Sequence, residues 1–334
     1  EADDLVEKRR VALKLVAQDL AAQESFVKRF QREARVAEAI DESHIAAIYE
    51  TGIDAERGLP FIAMERLEGA DLDAHLKRTP ELDVDVALRI AAQTCEGLAA
   101  AHHAGVVHRD IKPSNLFLAK APDGALTVKL LDFGIAKLRA ELTKDLRSSV
   151  LTQTGAVLGS PVYMSPEQAR GGNDIDVRTD LWSAGVVLYQ MLSGRVPKAL
   201  VDGVGSLIVA ICTEPAKPIQ SLAPWVSKDV AAVVHKALAL RREARFQTAT
   251  EMRDAILSLL PNGDALRPSL LVPPPADVRA RSVTAVAIGD EDTAVDALGP
   301  TAESKRGPAR ILIVEDNALH MDMISRRLER KGYR

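Results

Sequence analysis

Eight consecutive residues, His108-Arg109-Asp110-Ile111-Lys112-Pro113-Ser114-Asn115, bring a carboxylate, a lysine and an amide close together. The apolar flanks Val106-Val107 and Leu116-Phe117-Leu118 would anchor such a loop in a core while its polar groups face a cleft. That set of groups suits transfer of a phosphoryl group to a hydroxyl. Asp110 would orient the hydroxyl and accept its proton, Lys112 would offset charge on the moving group, and Asn115 would hold a metal ion. The plain alternative is a polar loop of any globular protein. The groups that follow in the chain count against it.

Seventeen residues after Asn115 comes Asp132-Phe133-Gly134, at the end of an expected short strand, Val128–Leu131. An aspartate there, with a flexible glycine two residues on, can chelate Mg²⁺ that bridges phosphates. About a hundred residues before Asp110 lies Val11-Ala12-Leu13-Lys14-Leu15-Val16. Its alternation reads as a strand, with Ala12, Lys14 and Val16 on one face and Val11, Leu13 and Leu15 on the other. A lysine beside a small alanine suits a phosphate contact next to an adenine, although an edge-strand lysine is the default reading of that motif alone.

The elements that must position these groups follow from periodicity. Residues 24–40 read as a helix, with Phe26, Phe30, Ala34 and Ala37 at helical spacing. Ala46–Gly52 and Leu59–Met64 read as strands. Leu82–His103 reads as a long amphipathic helix stopped at Gly105, leading directly into the polar loop. Asp180-Leu181-Trp182-Ser183-Ala184-Gly185-Val186-Val187-Leu188-Tyr189 reads as an apolar helix opened by an aspartate.

Together these motifs, over roughly residues 1–260, resemble the eukaryotic-type (Hanks-type) serine/threonine protein kinases of bacteria. Lys112, two residues after Asp110, fits the Ser/Thr branch. The resemblance implies an α+β, two-lobed protein kinase-like fold: a small β lobe over 1–67 and a mainly helical large lobe over 68–260. It implies ATP and Mg²⁺ as cofactors and proteins as substrates. Lys14 would contact the α/β-phosphates and pair with Glu33, preferred over Glu24 and Glu38 because Arg29-Phe30-Gln31-Arg32-Glu33-Ala34 matches the family pattern. Met64 would be the gatekeeper, and the backbone of Glu65 and Leu67 would bind adenine, with Ala12 and Phe117 completing the site. Asn115 and Asp132 would hold the metal.

The resemblance reaches further residues. The hydroxyl-rich stretch 135–158 takes the place of the activation segment, with Thr152 and Thr154 as its phosphosites; hydroxyls that merely solvate a loop are the alternative. A phosphate there could dock to Arg109. Gly159–Glu167 matches the substrate-binding loop, with Ser165 and Ser160 departing from the usual Ala and Thr. Asp180 would bond the backbone of the catalytic loop, and Arg245 would form a buried ion pair with Glu167. Both roles are architectural.

Composition sets limits on the rest. The 334 residues allow about two domains, 47% of them are apolar, and the net charge of −4 gives no bulk attraction to nucleic acid or anionic membrane. No run of 18 apolar residues and no signal peptide occurs. Cys95 and Cys212 lie far apart and read as small buried hydrophobes, which suggests a cytoplasmic protein. Residues 261–309, rich in Pro, Ala and Gly, read as a disordered linker. Arg310-Ile311-Leu312-Ile313-Val314-Glu315-Asp316-Asn317 and the helix after it resemble the β-α start of a response-regulator receiver, an α/β domain, here partial over 310–334. Glu315 and Asp316 would be its Mg²⁺ acids, and a histidine kinase would be the partner of the complete receiver. Another α/β domain is the alternative.

Only thirteen residues precede Lys14 and none forms Gly-X-Gly-X-X-Gly. Two strands and that loop need roughly 20 or more residues. A fragment of a longer protein is therefore expected, lacking the Gly-rich loop and carrying at best a partial strand before that of Lys14. Two other functions remain. A signalling scaffold would use the kinase fold to couple to the receiver. A small-molecule kinase would lack an activation segment ending in Ser-Pro-Glu.

Overall fold

A computed structural model describes residues 2–4, 7–16, 21, 27, 30, 38–54, 58–121, 123–132, 161–172, 174–199 and 203–271. The chain divides into two units, 1–287 and 288–334, and every described residue belongs to the first. The expected activation segment with Thr152 and Thr154, Ser160, Glu24, Glu33 and the whole of 310–334 lie outside the described residues.

Four strands build the small lobe: β1 (Ala2–Asp4), β2 (Arg9–Leu15), β3 (Ile48–Ile53) and β4 (Pro60–Glu65). They pair antiparallel in the order β1-β2-β4-β3. Ala12 lies opposite Met64 and Lys14 opposite Ile62, so these four share one face, as the period-2 pleat requires. Ile62 is buried on that side against Phe30, with Val16, Val27, Ile48 and Met64 around them. Leu13 and Leu15 take the opposite face and are exposed. The strands fall within one or two residues of those expected, and β1 is a short neighbour of the lysine strand.

β5 (Gly69–Asp71), β6 (Leu116–Lys120) and β7 (Leu126–Leu130) form a second antiparallel sheet. Asp71 then caps α1 (Leu72–Arg78), its carboxylate accepting from the Ala74 N–H at 2.7 Å. Asp83 caps α2 (Val84–His103) in the same way, and these ends agree with the helix read from the sequence. Further helices of the large lobe are α3 (Pro166–Ala169), α4 (Arg178–Ser193), α5 (Val204–Thr213), α6 (Lys228–Ala237) and α7 (Ala249–Leu257). Among the described residues no helix is long and apolar enough to cross a membrane.

α4 is the axis of the large lobe. Every residue from Thr179 to Tyr189 is buried, and α2 packs on one side of it and α6 on another. Gly185 makes the second contact possible, because a Cβ there would lie 2.7 Å from the Cβ of Ala237. Leu98, Leu181, Leu188 and Leu192 are fully buried in the same core. Each contributes about 1.5–3 kcal/mol by leaving water.

Two expectations need correction. The linker does not begin at 261. Leu266 is 1% exposed and its carbonyl accepts from the Leu126 N–H at 3.0 Å, forming a bridge beside β7. Arg89 and Gln93 of α2 hold the carbonyls of Ala265 and Asp264 at 2.8 and 2.9 Å. Polar side chains on α2 supply this binding, so the apolar periodicity that delimits helices gives no sign of it. Packed residues continue at least to Leu271, and 272–309 lies outside the described residues. The second correction concerns the cysteines: Cys95 is buried and Cys212 only half-buried. Burial pushes the Cys95 thiol up to about 12.

Candidate active site

The loop between α2 and β6 is held from below by one carboxylate. Asp180, fully buried on α4, accepts from the N–H groups of His108 and Arg109 at 2.8 and 2.7 Å. His102, at the end of α2, places its Nε2 2.9 Å from the same carboxylate. His108 Nδ1 accepts from the Asp110 N–H at 3.3 Å, so its proton sits on Nε2, which donates to the Leu131 carbonyl at 2.8 Å. Asp180 therefore does what its position implied, and it stands behind the site rather than in it.

Above this base the expected groups meet. Lys112 Nζ lies 2.6 Å from Asp110 Oδ2. Asn115 Nδ2 donates to the Asp110 backbone carbonyl at 2.8 Å and to its Oδ2 at 3.1 Å. Using its nitrogen this way leaves Asn115 its side-chain oxygen, a hard ligand suited to Mg²⁺. β6 starts at Leu116, and the Leu131 N–H donates to the Asn115 carbonyl at 2.9 Å, so Asp132 leaves β7 beside Asn115.

Asp132 and Arg109 are non-glycine residues in the left-handed region, with φ of 63° and 65°. Such a conformation costs roughly 1–3 kcal/mol and persists only where the surroundings over-determine it. Asp132 is ion-paired with Lys14 Nζ, which reaches it from β2. The structure thus joins the small-lobe lysine to the candidate metal ligand. Glu33, its expected partner, lies outside the described residues, and Glu38 is exposed.

Among the described residues no three His, Cys, Asp or Glu side chains gather as a metal cage. Mg²⁺ is bound through one or two carboxylates with substrate phosphates and water. Asp132 and the Asn115 oxygen are a donor set of this kind.

In the expected adenine site, Ala12 and Met64 are direct cross-strand partners. The Glu65 N–H already donates to the Ala47 carbonyl at 2.8 Å. The Glu65 side chain pairs with Lys129 at 2.7 Å and fixes the end of β4 to β7. Phe117 sits on β6 between Asp71 and Lys129 of its neighbours. Beside Lys112 opens a cleft of about 290 Å³ lined by Asp73, Lys112, Pro113, Ser114 and Tyr163. Burial, with the nearby Asp73 charge, pushes the Tyr163 phenol up to about 12, and its hydroxyl donates to Gln190 at 2.7 Å.

α3 carries Glu167, which meets the fully buried Arg245 at 2.8 and 3.0 Å, as expected. Sequence reasoning missed Gln168, which touches the loop, and His102, which touches the Asp180 carboxylate that holds it. Gln168 Nε2 donates to the Arg109 carbonyl at 2.8 Å. Its signal was present in the spacing Ser165-Pro166-Glu167-Gln168, a capping box with Pro at the first turn. His102 offers only a histidine at a helix end, which has no such signature.

An antiparallel small lobe, a helical large lobe and a base-lysine-amide loop between them define a class, that of phosphotransferases of the protein kinase fold. The family described as Protein kinase domain matches residues 2–256. The chain is 40% identical over 255 residues to the serine/threonine-protein kinase PknB of Mycobacterium leprae, covering 75% of this chain and 39% of that protein. It is 39% identical to PknB of Mycolicibacterium smegmatis, covering 85% of this chain and 45% of the relative. The crystal structure of the Mycobacterium tuberculosis PknI kinase domain superimposes with a TM-score of 0.56 at 27% identity, covering 74% of this chain and 84% of that one. The chain belongs to the protein kinase family, as a bacterial Hanks-type Ser/Thr kinase domain. It spans about two fifths of the length of the curated relatives it matches.

Proposed function

We propose that the protein transfers the γ-phosphoryl group of ATP to serine or threonine hydroxyls of protein substrates. The observation that carries this reading is the Asp110 carboxylate, 2.6 Å from Lys112 and 3.1 Å from Asn115 on a loop clamped by buried Asp180. Asp110 accepts the substrate proton as the new O–P bond forms and the bond to ADP breaks. Lys112 offsets the charge that spreads over the moving group. Lys14 would steady the ATP phosphates, and Asp132 with the Asn115 side-chain oxygen would hold Mg²⁺. When bound, the ion would supply charge neutralisation on the phosphates.

The reading extends to residues outside the described ones. Thr152 and Thr154 are proposed autophosphorylation sites, with Arg109 as the phosphate dock. Residues 310–334 are proposed as the start of a receiver that a histidine kinase would serve, in a cytoplasmic signalling protein. The gathering of Lys14, Asp110 and Asp132 supports the transferase over a scaffold.

The test is incorporation of labelled phosphate by the full-length protein, with Asp110→Asn and excess EDTA as controls. Transfer is expected only from the wild type with Mg²⁺, and equal incorporation by Asp110→Asn would sink the reading. Mass-spectrometric mapping that finds label at neither Thr152 nor Thr154 would remove the autophosphorylation sites alone.

A further inference from the structure

Gln168 joins two parts of the site with one amide. Its Oε1 accepts from the Ser165 N–H at 3.0 Å, and its Nε2 donates to the Arg109 carbonyl at 2.8 Å. Ser165 Oγ in turn accepts from the Gln168 N–H at 3.3 Å and lies 2.5 Å from Thr179 Oγ1 on α4. The next residue on α4 is Asp180, which takes the Arg109 N–H at 2.7 Å. Arg109 is therefore gripped on both of its own backbone groups, the N–H by Asp180 and the carbonyl by Gln168.

This grip falls where the backbone most needs it. Arg109 is left-handed, with φ of 65°, and it immediately precedes Asp110. Rotation of the peptide that carries the Arg109 carbonyl would swing Asp110 away from Lys112 and Asn115. A capping box alone needs only the Oε1 acceptor of residue 168. The donated bond to Arg109 is additional, and it ties the turn at Ser165, which opens α3, to the residue before the base.

We propose that Gln168 is a positioning residue, which holds the left-handed Arg109 peptide and through it sets the Asp110 carboxylate, coupling the Ser165 turn to the chemistry. The inference rests on the kinase reading above. It predicts that residue 168 acts on turnover rather than on ATP binding, because none of its hydrogen bonds touches Lys14, Met64, Glu65, Leu67 or Asp132.

Two variants of the full chain separate this role from helix capping. Gln168→Glu keeps an acceptor for the Ser165 N–H and loses only the donor to Arg109. Gln168→Met keeps the length and loses both. Hydrogen exchange of a peptide spanning 106–112 is expected to quicken about tenfold in both variants, with 178–193 unchanged. kcat is expected to fall about tenfold with KM for ATP unchanged, since small misplacements of a reacting group are costly. Thermal unfolding of Gln168→Glu should fall less than that of Gln168→Met, because glutamate keeps the cap acceptor while both lose the bond to Arg109. Exchange and kcat of Gln168→Glu both within about twofold of wild type would overturn the proposal. Faster exchange with unchanged kcat would overturn it too, leaving a purely structural bond. A wild-type chain that transfers no phosphate would instead sink the kinase reading, and exchange alone then decides whether Gln168 holds the loop.

Discussion

Arg245 grips Glu167 with both terminal nitrogens, at 2.8 and 3.0 Å, and gives its other three donors to the carbonyls of Ala239, Arg178 and Leu240. All five guanidinium donors are used, and its side chain is fully buried. Trp182 stacks its ring 4.8 Å from the same group. The pair pins α3, and with it Gln168, to the helical lobe.

Replacing Arg245 by Met should therefore destabilise the lobe by about 3 kcal/mol, because it strands a half-buried carboxylate and three carbonyls. Glu167→Gln should cost less, since the amide still accepts one hydrogen bond. Urea midpoints of the two variants against wild type check the order.

The same pair predicts a pH dependence. Burial pushes the Glu167 carboxyl up, but the hydrogen bond and charge of Arg245 bring it below the ordinary carboxylate value. A carboxyl lowered on folding stabilises fully above its unfolded pKa of about 4.3, and loses that contribution as pH falls through the folded value. The stability gap between wild type and Glu167→Gln should be widest near neutrality and narrow on acidification. A gap constant from pH 7 down to the acid transition would contradict it. Asp176, likewise lowered by Arg178 against its burial, makes the difference between variants a cleaner measure than wild type alone.

Asp180→Asn should separate positioning from chemistry. The amide oxygen can accept one of the two N–H groups of His108 and Arg109, while its NH₂ faces the other. Leaving one buried donor unpaired costs about 1–3 kcal/mol. Turnover should fall at least about tenfold through the loosened loop. ATP affinity, measured by calorimetry, should stay near the wild-type value, because Asp180 does not border the nucleotide groups.

Leu266→Ala tests where the packed region ends. Its side chain is 1% exposed, and truncating it should cost about 2–5 kcal/mol although the backbone bridge to Leu126 stays. A thermal midpoint equal to wild type would return the boundary to 261.

The sequence made the chemistry legible and the supports only in part. Asp110, Lys112, Asn115, Lys14 and Asp132 stand out as polar and charged groups at fixed spacing, and the structure puts the first three in contact and pairs Lys14 with Asp132. Helix α2 was readable to within two residues because its apolar stripe and the Gly105 stop are local signals. The strap at 264–266 was not, because Gln93 and Arg89 bind its backbone carbonyls, and backbone groups have no side-chain signature. The Lys14–Asp132 pair was also hidden. Its two residues are 118 positions apart, and the motif pointed Lys14 to a helix glutamate.

Asp110, Lys112 and Asn115 precede β6, and Asp132 follows β7, so four of the five groups hang from the ends of one antiparallel hairpin. The β6–β7 ladder holds Asn115 and Asp132 at its two strand ends, and Asp180 with Gln168 holds the loop that carries Asp110 and Lys112. Lys14 comes from another sheet. The site thus has four groups set by one lobe and one degree of freedom, the reach of Lys14 to Asp132. A shift of the small lobe changes that one separation and leaves the spacing of the other four groups untouched.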